Sequence, residues 1–321
     1  MNRNLKTSSM TEAAMISGIL VIFAYISSVL FSGLMFFYPL PAIILARRKG
    51  LKYSILSLVA ADLLISMLLG IQTGISFFVL FTPLAIALSY GICKDENPNI
   101  TIMMGAAAFM ISFVILILFS QFLMGVNYID QMIQISNESI KIYKDILNNS
   151  SANIDASKLD EIIKNIDDMG KVMSDYIGKQ FPAILIVSSV IMSAINYFAV
   201  SKFGHRFRID IRKHEGIIYF SFPNTFIIAM AGLSLLSYLL SVFNINVYVI
   251  QINIFMICFM AMFLQGFAVL KFYLFKLNLN KVARTLILVG ALFMAGMPQL
   301  LAILGMMDLI LDLRKIRKKV V

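Results

Sequence analysis

A chain of 321 residues, 60% hydrophobic and with a mean hydropathy of +0.88, has too little polar surface to enclose a water-soluble core. Its net charge of +10 does not mark a nucleic-acid binder, because the cations gather at the ends of apolar runs, where they meet lipid head groups. Cys93 and Cys258 lie in or beside such runs, far apart in sequence, and suggest neither a disulfide framework nor a metal site.

The uncharged runs are Ala13–Ala46 (34 residues), Asn97–Ile129 (33), Gln180–Ser201 (22), Gly216–Leu270 (55) and Thr285–Met307 (23). Tyr53–Cys93 (41) carries only Asp62. A spanning helix takes about 20 apolar residues, so the longest runs each hold two. The expected spans are 13–31, 34–46, 53–70, 75–93, 101–125, 181–202, 219–242 and 248–270. This is an all-α fold, a polytopic helical bundle of about eight spans closed by a C-terminal hairpin of short helices. The first run has no small-residue cleavage site before the next span begins, so it reads as a retained helix.

With the N-terminus inside and the spans alternating, 16 of the 27 Lys and Arg residues fall on the inner side. The short connections near Ser32, Gln72 and Asn244–Asn246 then lie outside without charge. The loop from about Asn127 to Lys179, with nine acids and six lysines, is also outside. This agrees with the positive-inside rule and predicts a multi-pass plasma-membrane protein with a cytoplasmic N-terminus facing an anionic inner leaflet.

The second span, in "FYPLPAIILARRKGLK", has about 13 residues before Arg47, or roughly 20 Å of helix at 1.5 Å per residue. Pro39 and Pro41 each remove a backbone donor. Two readings remain open: an irregular entry strand over a pocket, which must be buried or line a cavity, or a helix start after a tight turn. In the third span, Ser54, Leu58, Asp62, Ser66 and Gly70 form a mostly polar or small stripe. A lone mid-membrane Asp costs about 2.5–3.5 kcal/mol, so the stripe should face the bundle interior. Asp62 with Ser66, Pro39 and Pro41 is therefore a candidate ligand or proton contact, set against a structural, hydrogen-bonded Asp. Gln121 and Asn196 join it as ligand candidates, with interhelical bonding as their ordinary role.

Within the outer loop, Ile129, Met132, Ile133, Ile140, Tyr143 and Leu147 recur at helical spacing, as do Leu159 to Ile177 on the far side of "NNSSANIDAS". An antiparallel helical hairpin is expected over 127–180, its first arm continuing the fifth span and its second starting at Ser157 with Asp160 three residues on. The domain plan is a six-helix half over 1–203 that includes this hairpin, a basic inner loop over 204–218, and C-terminal helices with a basic tail over 219–321.

At the end of the chain, "GALFMAGMPQLLAILG" places Gly296, Pro298 and Gln299 in mid-run, which predicts two short helices that return the tail inside. Asp308 and Asp312 would share a face near the inner interface, with Arg314 and Lys315 in reach. That cluster either anchors a helix end among head groups or docks on the Arg206–Lys213 loop.

Three stretches, "YPLPAIILARRKGLK", "FSFPNTFIIA" and "LGMMDLILDLRK", resemble the YybS family of bacterial membrane proteins across essentially the whole chain. The closing pattern of Gly305, Asp308, Asp312 and Arg314 is the most distinctive piece. The resemblance implies that the first six helices are similar to the substrate-binding S subunits of energy-coupling-factor transporters, with the loop before the second helix as a lid. It also implies that Ala14 and Gly18, four apart on the first helix, contact a partner subunit.

No nucleophile–base pair, phosphate loop or metal-ligand spacing is present, so neither an enzyme nor a cofactor is expected. Two functions are weighed. One is binding or transport of a small solute in the six-helix half, with a membrane subunit or ATPase module as partner. The other is a non-transporting scaffold or regulator that recruits partners through the outer hairpin or the basic loops.

Overall fold

The backbone follows the charge pattern closely, because every long uncharged run becomes helix. The computed structural model describes residues 3–125, 127–150, 156–212, 216–243, 247–277 and 279–316, and among these there is helix and no strand. The helices are α1 (Arg3–Val29), α2 (Leu40–Lys49), α3 (Leu51–Leu69), α4 (Ile71–Cys93), α5 (Pro98–Met124), α6 (Tyr128–Ser150), α7 (Ala156–Phe203), α8 (Asn224–Val242), α9 (Tyr248–Lys276), α10 (Lys281–Phe293) and α11 (Met297–Leu311). Seven of them are long and apolar enough to cross a membrane: α1, α3, α4, α5, α7, α8 and α9. α10 and α11 meet at a bend of 105° and make a broken or re-entrant span. Phe122 is 90% exposed and Met67 82%, as suits side chains that face lipid.

The chain divides into two units, Met1–Ile135 with Leu185–His214, and Ser136–Ile184 with Glu215–Val321. The helical hairpin from Ser136 on thus groups with the C-terminal helices.

In the first unit, α3 packs against α1, α2 and α4, and α4 packs against α5. The expected 34–46 span is split. Ser32–Phe37 is a 3-10 helix, and α2 has only 10 residues, about 15 Å at 1.5 Å per residue. Pro39 is the N-cap and Pro41 lies in the first turn, where neither removes a bond the helix would have made. The backbone here is a turn and a helix start, not an extended entry strand. Residues Pro41 to Ala46 are all buried, whereas no residue of the 3-10 segment before them is. Leu20, Ile43, Leu58, Leu84 and Leu88 fill the core, and Tyr38, Phe77, Phe81 and Phe109 run through it with successive ring centroids 4.8–6.2 Å apart. At one end, the Arg47 guanidinium ties α2 to the chain beyond α4 and to the basic segment, through Asp95 at 2.8 Å, the Cys93 carbonyl at 3.3 Å and the Asp210 carbonyl at 3.2 Å.

α5 stops at Gly125, whose φ of 65° is a left-handed helix end, so α6 does not continue the fifth span as expected. The continuous arm is the other one. α7 runs 48 residues through Lys179 and Pro182, where the charge pattern suggested a break. Proline disrupts the local ladder, and Asn253 of α9 repairs it. Its Oδ1 accepts from the Ala183 N–H at 2.8 Å, and its Nδ2 donates to the Lys179 carbonyl at 2.8 Å. One side-chain amide thus stands in for a lost backbone bond.

The hairpin arms meet through Ile140 against Gly170, Asn137 bonded to Ser174, and a Lys144–Asp167 ion pair. Tyr143 and Ile146 on one arm and Met169 on the other are more than half exposed. The side chains of Ser157 and Asp160, the expected cap, lie outside the described residues, as do Lys213, His214 and Asn244–Asn246.

Candidate functional site

Three polar constellations stand out, one in the first unit and two in the second. Asp62 on α3 is 4% exposed. Tyr38 donates its hydroxyl to Asp62 Oδ1 at 2.7 Å, and Thr82 of α4 donates to Oδ2 at 2.8 Å. The stripe faces inward over Ser54, Leu58 and Asp62, with Ser54 donating to the Ala42 carbonyl of α2, then emerges through half-buried Ser66 to exposed Gly70. Ser66 also sits where a Cβ on Gly74 would fall, so α3 and α4 touch there. Pro39 and Pro41, both buried, set the turn that holds Tyr38 over Asp62. Asn196 of α7, fully buried, donates from Nδ2 to the Phe36 carbonyl at 2.9 Å and so grips the 3-10 segment, while its Oδ1 has no partner among the described residues.

The structure thus gathers Asp62, Ser66, Pro39, Pro41 and Asn196 around one broken segment. It leaves Gln121 exposed on α5. Both Asp62 oxygens are occupied by protein hydroxyls, and Tyr38 is sealed beneath Phe77 and Phe81. Tyr38 and Thr82 escaped sequence reasoning, although each adjoins a proline, Pro39 and Pro83. Ala14 and Gly18 both lie exposed on α1.

The second constellation decodes the C-terminal pattern. Gly305 lets α11 lie directly on α9, and a Cβ there would sit 1.9 Å from the Met262 carbonyl oxygen. Gly266 returns the contact, its Cβ position 1.7 Å from the Leu301 oxygen. Asp308, 2% exposed, accepts from Gln265 Nε2 of α9 at 2.7 Å and from Arg314 Nη2 at 2.8 Å. Asp312 ends α11 with φ of 48°, a left-handed turn that brings the chain back so that the Arg314 N–H reaches Asp308 Oδ1. Arg314 spends its remaining donors on the Ile218 and Phe220 carbonyls at 2.7 and 2.8 Å. Gln265 completes the knot by accepting from the Phe222 N–H and donating to Ser221 Oγ.

Asp308 and Arg314 are therefore buried partners, neither an interfacial anchor nor a charged surface offered to a basic loop. Carbonyls, a buried glutamine and close-packed backbones surround them, and an uncompensated charge there would be prohibitive. The "FSFP" stretch and the closing pattern belong to one node. Gln265, which binds them together, could be suspected only as one more intramembrane amide.

The third constellation is a cleft of about 750 Å³ in the second unit. Its mouth carries Asp175, Lys179 and Gln180 of α7 with Tyr248 and Gln251 of α9. Asp175 and Lys179 are paired at 2.7 Å, so the mouth bears no net charge. Along α9, Ile252, Phe255, Met256 and Phe259 continue the wall at helical spacing. The hydrogen bonds Gln265–Asp308 and Tyr273–Leu313 make α9 and α11 run in the same direction. Gln299, nine residues before Asp308, therefore stands roughly 13 Å back along α11 and closes the cleft level with Met256 to Phe259. Volume and lining suit a small molecule, since ligand sites are typically about 300–1,000 Å³, mostly apolar, with a few polar groups.

These features define a polytopic α-helical membrane protein with a broken second span, a helical hairpin, and a broken or re-entrant C-terminal pair locked to α9. The chain belongs to the family described as "Predicted membrane protein (DUF2232)", whose profile matches residues 15–309. It is 25% identical over 280 residues to the "Uncharacterized protein YybS" of Bacillus subtilis (strain 168), covering 86% of each chain. No solved structure matches.

Proposed function

We propose that this integral membrane protein binds a small molecule at bilayer depth, in the cleft between α7, α9 and the start of α11. The cleft itself carries this reading. It has the volume of a ligand site, and the side-chain amides of Gln180, Gln251 and Gln299 make no hydrogen bond among the described residues. Amides left without partners near hydrocarbon are costly, and a ligand would supply what they lack. The Asp62 knot is the poorer site for a solute, since a ligand would have to displace Tyr38. Mass spectrometry of what survives purification in mild detergent tests the reading. A near-stoichiometric small molecule is expected, and a protein that emerges empty from membranes kept intact until solubilisation would contradict it.

A second reading keeps the first unit as a transporter S-subunit-like module. Ala14 and Gly18 favour it, being exposed four residues apart on α1, with open space where a Gly18 Cβ would stand. A co-purifying ATPase module would support this reading, and envelope proteins bound through the hairpin would instead support a scaffold.

The excess of Lys and Arg on alternate loops supports an orientation with the N-terminus inside, and we infer a plasma-membrane location on that basis. Cysteine introduced at Asn149, exposed on α6, should react with an impermeant reagent on whole cells, whereas cysteine at Lys52 should not. Labelling at Lys52 with protection at Asn149 would invert the topology.

A further inference from the structure

The cleft also says what kind of molecule it takes, on the reading that it is a binding site. Its mouth and its wall differ in character. At the mouth, two amides and the Tyr248 phenol surround a self-neutralised ion pair, and Lys179 sits 5.8 Å from the centre of the Tyr248 ring. A primary amide both donates and accepts, so Gln180 and Gln251 match hydroxyl or amide groups, which do both, better than a phosphate, which mainly accepts. An anion would find no uncommitted cation here, since Lys179 is already bound to Asp175 at 2.7 Å.

Below the mouth, the wall turns apolar within one helical turn. Ile252, Phe255, Met256 and Phe259 extend over about 10 Å of α9, the length of a short run of methylenes. Phe255 is 70% exposed, so this wall opens sideways and not into a sealed chamber. In a spanning helix, a sideways opening faces hydrocarbon, and an acyl chain can enter without crossing water.

The geometry points to an amphiphile as the occupant: a molecule with an uncharged, hydroxyl- or amide-bearing head at Gln180 and Gln251 and a hydrocarbon chain along Phe255 and Phe259, entering from the bilayer. Gln299 meets the chain's far portion and would favour one carrying a polar link, such as an ester or amide carbonyl, at that depth.

The chain contains no tryptophan, so Phe255→Trp places a single tryptophan in the cleft, excited selectively over the tyrosines. The full-length variant is reconstituted in phosphatidylcholine vesicles doped with brominated-chain lipids bearing a glucosyl, a choline or a glycerophosphate head, and quenching is followed against mole fraction. The glucosyl lipid should reach half-quenching at a mole fraction about fivefold or more below the other two, the worth of one net hydrogen bond. Adding Gln180→Leu and Gln251→Met should erase that difference while leaving the emission maximum in plain vesicles unchanged, which guards against unfolding. Equal quenching by all three heads, or a preference for the anionic lipid, would overturn the amphiphile assignment while leaving an accessible cleft. Absence of quenching by every lipid would overturn the assignment together with the binding role beneath it.

Discussion

Replacing Gly305 with alanine should cost the second unit on the order of 3 kcal/mol, at the upper end of what overpacking usually exacts. The added methyl would stand 1.9 Å from the Met262 oxygen and 2.6 Å from the Gly266 nitrogen. Both are backbone atoms of α9, so no rotamer change relieves the clash and the two helices must separate. Gly266→Ala, aimed at the Leu301 oxygen, should cost about as much. The double variant should cost less than the sum, because helices pushed apart once already have room for the second methyl. Gly290→Ala on α10 is the control. A Cβ there meets nothing within 4 Å, and alanine is the better helix former by about 0.5–1 kcal/mol, so that change should be neutral or mildly stabilising. Unfolding in detergent micelles gives the comparison. Equal midpoints for Gly305→Ala and Gly290→Ala would mean that α9 and α11 do not touch through these glycines.

Arg314→Met should be the more damaging change, by about 3–5 kcal/mol, as for breaking other buried ion pairs. It leaves the Asp308 carboxylate buried with Gln265 as its main remaining partner and strands the Ile218 and Phe220 carbonyls. Arg314→Lys keeps the charge but has no planar fork to serve a carboxylate and two carbonyls together, so it should recover only part of the loss. Asp308→Asn combined with Arg314→Met should cost less than Arg314→Met with Asp308 intact, since the unpaired charge is gone. The segment around Phe220–Phe222, held by Arg314 and Gln265, should become sensitive to protease in the single variant before the helices unfold. Resistance equal to that of the unaltered chain would show that the knot does not hold this segment.

The span pattern was legible because charge is excluded from hydrocarbon, and a 55-residue uncharged run can only be two helices. The C-terminal hairpin was legible for a local reason too: Gly296 and Pro298 interrupt the helix, and the structure bends by 105° there. The shortness of the second span was visible from Pro39 and Arg47. What local pattern could not show was compensation from a distance. Charges around Lys179 marked solvent, yet α7 passes through them because an amide 70 positions on, Asn253, restores the backbone bonds at Pro182. Asp62 was visible as an anomaly, while its partner Tyr38 reads as one more aromatic until the fold turns it inward. Likewise, the closing motif was recognisable as a pattern, but its meaning lies in Gln265, Ser221 and the Phe220 carbonyl, which only the packing of α9 and α11 brings near. The cleft is assembled from α7, α9 and α11, and no single stretch announces it.

The claim that the ligand site lies in the second unit is tested most directly by mass spectrometry of retained small molecules from three full-length proteins purified side by side. These are the unaltered chain, Ile252→Trp, which fills the cleft, and Tyr38→Phe, which removes the hydroxyl from Asp62. The account predicts the same retained molecule in the unaltered chain and in Tyr38→Phe, and its loss from Ile252→Trp. Retention in Ile252→Trp with loss in Tyr38→Phe would contradict it and move the site to the Asp62 knot.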